Sequence, residues 1–99
     1  MEPSKQPPPE LLEEVFELNM AIDALRGGEE AVRPQLVEAQ AQFRTMLAEI
    51  DTSLEEMFAR YDAGGQETLK EMRAALDRRR YIANLVREVE KELNVHVPN

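Results

Sequence analysis

The sequence predicts an all-α domain: a three-helix bundle with a long antiparallel helical hairpin and a shorter first helix. Three observations carry this. Apolar residues recur at steps of three and four over long stretches, as on the buried face of a helix. The four glycines form two pairs, Gly27–Gly28 and Gly64–Gly65, between those stretches. No run shows the alternation of a half-buried strand. At 99 residues the chain suits one domain with a modest core.

Helix one is predicted over about residues 9–26. Pro9 fits a first helical turn, where its missing N–H costs nothing. The acids behind it suit the positive end of the helix dipole, and Gly27–Gly28 ends the helix. Helix two begins near Pro34 and runs to about Asp62. Within it, Ser53 stands three residues before Glu56, the spacing of a capping box that would start a new helix. The apolar phase overrides that signal, because Phe43, Leu47, Ile50, Leu54, Met57 and Tyr61 step by four and three straight through it. Helix three, about 66–93, carries a seam of Met72, Ala75, Ile82, Val86, Val89 and Leu93, with Arg79 in one intervening place. The short Gly–Gly link makes helices two and three a hairpin of about 40 Å, with helix one along part of it. Residues 1–9, with Pro3, Pro7, Pro8 and Pro9, read as a disordered linker. The helical domain spans 10–93, and 94–99 reads as a frayed tail.

Composition argues against several functions. The chain has no cysteine, which removes disulfides, thiolate metal sites and cysteine nucleophiles and fits a reducing cytoplasm. No apolar run approaches a membrane span. A net charge of −8 repels a phosphate backbone, so nucleic acid is not an expected partner. The single histidine, His96, sits in the tail, without the companions of a catalytic triad or a di-iron bundle. The acids at the start of helix one suit a helix dipole rather than a general acid–base pair. No catalysis, cofactor or metal is expected. Charge is nonetheless uneven: residues 10–25 hold Glu10, Glu13, Glu14, Glu17 and Asp23 and no base. Residues 73–87 hold Arg73, Arg78, Arg79, Arg80 and Arg87 against Asp77 alone. Two readings stand, solvated faces that partly neutralise each other, or the rim of a partner surface.

Helix one holds more apolar residues than one seam needs. Leu11, Val15, Leu18, Ile22 and Leu25 form a complete narrow stripe. Leu12, Phe16 and Met20 form another, centred roughly 140° away at 3.6 residues per turn. Either helix one buries a wide face in a groove, or the second stripe is exposed inside a rim of Glu13 and Glu17, the usual anchor of a protein interface. In helix three, Tyr81 lies roughly 130° from its seam. Its ring can pack while its hydroxyl stays wet.

These residues resemble a known family. "LLEEVFELNMAIDAL" near the start, "RRRYIANLVREVEKEL" near the end and the long periodic helix between them are similar to the C-terminal domain of HscB, the J-type co-chaperone of iron–sulfur cluster assembly. The resemblance covers about residues 10–93. It implies a three-helix domain that binds the scaffold protein IscU, for delivery to the DnaK-type chaperone HscA. By motif, it implies a binding surface of Leu12, Phe16 and Glu17 on the first helix with Arg80 and Tyr81 on the last. Several relatives carry an acid where Met20 stands, and here Met20 would extend the apolar patch. The His-Pro-Asp signature of a J domain is absent, since His96 is followed by Val97. The chain alone is therefore not expected to stimulate the chaperone's ATPase, and HscA would be reached through a J domain outside it. It is expected to stay monomeric until its partner is added. The alternative is a helical module that self-associates through its surplus stripes.

Overall fold

Pro9 opens a single 3-10 turn, Pro9–Leu11, that feeds α1, Leu12–Arg26. The computed structural model describes residues 8–65 and 67–95, so most of the proposed linker, His96 and most of the proposed tail lie outside the described residues. A second 3-10 turn, Glu30–Val32, leads into α2, Arg33–Asp62, and α3 follows as Thr68–Val95. Pro34 occupies the first turn of α2 as its fixed φ requires. The helix then runs unbroken through Ser53–Glu56, where continuous burial of the seam outweighs one local cap. Among the described residues these three α-helices are the only long elements, and α3 extends two residues past its expected end.

Both turns close in the same way. The Glu29 N–H donates to the Ala24 carbonyl and the Gly28 N–H to Leu25, which satisfies the carbonyls left open at the end of α1. Gly65 and Gly64 do the same with Arg60 and Tyr61 at the end of α2. The motif needs a left-handed residue, supplied by Gly28 at φ 98° and Gly64 at φ 102°. A Cβ at Gly64 meets no neighbour, so its cost is conformational alone. Gly64→Ala is expected to lower stability by about 1–2 kcal/mol, read from the urea midpoint.

Short turns make α1 antiparallel to α2, and α2 antiparallel to α3. The core lies where the three meet: Val15, Leu18, Ile22 and Leu25 of α1, Leu36, Phe43, Ile50 and Leu54 of α2, and Ile82, Leu85, Val86 and Val89 of α3. Leu25, Leu36, Phe43, Ile82 and Val89 are fully enclosed. Arg26 donates from Nε to Glu92 at 3.0 Å, and Arg78 meets Glu10 at 3.2 Å. These two pairs lay α1 parallel to α3, beside the half of the hairpin away from Gly64. The opposed charge runs of the sequence thus meet in part across α1 and α3. The molecule is elongated, 54 × 30 × 21 Å.

Candidate protein-binding surface

The outward stripe of α1 is at the surface. Leu12 is 55% exposed, Phe16 65% and Met20 58%, so α1 does not bury a wide face in a groove. The narrow stripe from Leu11 to Leu25 suffices for its packing, because only the hairpin lies beneath it.

The neighbours of α1 fix where this stripe points. Glu14, Glu17 and Ala21 line a shallow cleft with Gln35, Ala39 and Gln42, so α2 lies on that flank. Arg26 reaches Glu92, so α3 lies on the other. At about 100° per residue, Leu12 falls on the α3 flank, and Phe16 and Met20 turn progressively outward. The pairs Glu10–Arg78 and Arg26–Glu92 join residues 68 and 66 positions apart, which puts Leu12 level with about Arg79 and Arg80, one residue short of Tyr81. Phe16 comes level with about Ala83 and Asn84 on the same count.

Tyr81 differs from the periodicity-based expectation. It is half-buried and packs against the core cluster. The reason is that α3 touches two helices: Leu85 and Glu92, outside the single seam read from sequence, are buried on the side facing α1, and Tyr81 edges that second strip. Burial, and then the charge of Glu88, push its hydroxyl above the ordinary 10.0. In an ultraviolet phenolate titration, Tyr81→Phe is expected to remove a transition lying above that value.

The other two expected residues sit at the margins. Glu17 is exposed on the α2 flank, across the outer surface of α1 from Leu12. Arg80 is exposed and stands 4.0 Å from Asp77. Arg80 and Tyr81 line one groove with Glu10, Arg78 and Leu85, although they project about 100° apart. Sequence reasoning did not single out the Glu10–Arg78 and Arg26–Glu92 pairs that set the level of α1; the opposed charge runs were a trace of the first alone, since Arg26 and Glu92 lie outside them. Among the described residues no group of three His, Cys, Asp or Glu side chains is placed to hold a metal ion, and no helix is long and apolar enough to cross a membrane.

An exposed apolar stripe thus stands beside a half-buried tyrosine on a three-helix frame. A family model described as the HSCB C-terminal oligomerisation domain matches residues 7–90, most of the chain. The chain belongs to the HscB C-terminal domain family. HscB proteins are co-chaperones of iron–sulfur cluster assembly, not a class of enzymes, and membership brings partners of the chaperone type. No curated protein and no solved structure matches the chain.

Proposed function

We propose that this HscB-type domain binds an IscU-type iron–sulfur scaffold through the outward stripe of α1, and presents it for delivery to the DnaK-type chaperone HscA. Leu12 and Phe16 anchor the contact together with Tyr81, Met20 extends it, and Glu17 and Arg80 fix orientation at its edges. The observation that carries the reading is the exposure of Leu12, Phe16 and Met20 on a stripe that starts on the α3 flank near the level of Tyr81 and turns outward, in a chain of this family. An apolar centre with charge at its margins is the usual plan of a specific interface. HscA is engaged through a J domain outside these residues, and the domain itself catalyses nothing. A chain without cysteine suits a reducing compartment, and we assign it to the cytoplasm.

Calorimetric titration with the cognate scaffold tests the proposal. Saturable one-to-one binding is expected, and its absence would overturn the scaffold reading. A second reading is favoured by the family's own description as an oligomerisation domain: the chain self-associates.

A further inference from the structure

We propose that a second copy of this chain docks on the hairpin face opposite α1, in a two-fold dimer whose axis runs parallel to the hairpin. The proposal rests on the self-association reading and names its surface, which is separate from the scaffold-binding stripe.

Three large apolar residues outside the proposed scaffold site stay nearly half exposed near the Gly64 end of the hairpin: Phe58 on α2, and Leu69 and Leu76 on α3. They share one face. Arg44–Glu90 and Asp51–Arg79 bridge α2 and α3 on one side of the hairpin. On the other side lie α1 and the Arg60–Glu71 pair. At about 100° per residue, Phe58 falls on the Arg44–Asp51 side of α2, and Leu69 and Leu76 on the Arg79–Glu90 side of α3.

Their heights interlock. Asp51 is level with Arg79 and Arg60 with Glu71, so Phe58 is level with residues 72–73. That is midway between Leu69 and Leu76, about 5 Å from each along the axis. Exposed Glu55 and Asp62 lie along the α2 edge of this face, and exposed Arg73 along its α3 edge. Arg73 is level with residues 57–58, between Glu55 and Asp62.

A two-fold axis parallel to the hairpin lays α3 of one copy over α2 of the other without changing height. Phe58 of each copy then enters the gap between Leu69 and Leu76 of the other, and Arg73 falls between Glu55 and Asp62 of the other. An axis across the hairpin would instead set acid on acid and base on base. The face is therefore self-complementary in one orientation, as an isologous interface requires. Three half-exposed anchors make a small apolar centre, which places the dimer among weak, transient contacts.

Sedimentation velocity across a wide concentration series tests this on wild type, Phe58→Asp, Phe16→Ala, Arg73→Glu, Glu55→Arg and the double variant. Wild type is expected to shift from monomer toward dimer, and Phe58→Asp to stay monomeric with an unchanged circular dichroism spectrum. Each charge reversal is expected to weaken association by roughly tenfold, since each contact occurs twice about the axis. The double variant, which restores opposite charges, recovers it. A wild type that stays monomeric throughout overturns both the self-association reading and this surface. Self-association that survives Phe58→Asp but weakens in Phe16→Ala moves the contact to α1 and overturns this surface alone. Weakening by both reversals without recovery in the double variant overturns the proposed orientation.

Discussion

Phe16→Ala is expected to weaken scaffold binding by about 2 kcal/mol or more, roughly thirtyfold, while the thermal melt stays in place. The two halves of this result have one cause. The Phe16 ring is 65% exposed, so folding withdraws little of it from water and its loss leaves no cavity. A complex that covers it recovers the burial that folding did not. A phenylalanine in the core would lose about 3–5 kcal/mol of folding stability on the same truncation. Tyr81→Ala is a less clean test, because Tyr81 packs against the core and its truncation lowers stability as well as affinity. Leu12→Ala should follow Phe16→Ala, since Leu12 is also exposed. Unchanged affinity in both variants would remove the α1 stripe from the interface, and a collapsed melt would return it to the core.

Phe43→Ala is expected to do the reverse, with a folding loss of about 3–5 kcal/mol in urea denaturation followed by circular dichroism. Phe43 is 1% exposed, within the cluster to which all three helices contribute. A cavity there cannot close without shifting one helix against the others. Domains hold about 5–15 kcal/mol in total, and one of 99 residues buries a smaller share of its surface than a large one, so the variant should be marginal or unfolded. Its scaffold affinity should fall only through the unfolded fraction, and excess scaffold should draw the chain back to the fold. A loss below about 1 kcal/mol would mean that the bundle repacks around position 43.

Several features were legible before any coordinates. The unbroken run of α2 across Ser53–Glu56 follows from six seam residues against one local cap. The stops at Gly28 and Gly64 follow from a chain reversal that only a left-handed residue makes cheaply. The exposed stripe of α1 was half legible: periodicity set Leu12, Phe16 and Met20 apart from the seam but left their burial open. Tyr81 was legible as an off-seam residue whose ring can pack, but not what it packs against, because one seam per helix ignores that α3 is gripped by α1 as well as α2. Leu85 and Glu92 were missed as buried residues for the same reason. Phe58, Leu69 and Leu76 were not singled out, and only their alignment across two helices makes a face.

The amino-acid sequence by itself determined the all-α class, the helix limits to within about three residues and the surplus stripe on the first helix. Those features depend on side-chain period and on the φ preferences of glycine and proline, which act within one segment. The tertiary structure alone decided that the stripe stands in water, that Tyr81 falls between the levels of Leu12 and Phe16, and that Phe58 falls between Leu69 and Leu76. Each is a matter of register between helices, set by ion pairs and core contacts joining residues far apart in the chain.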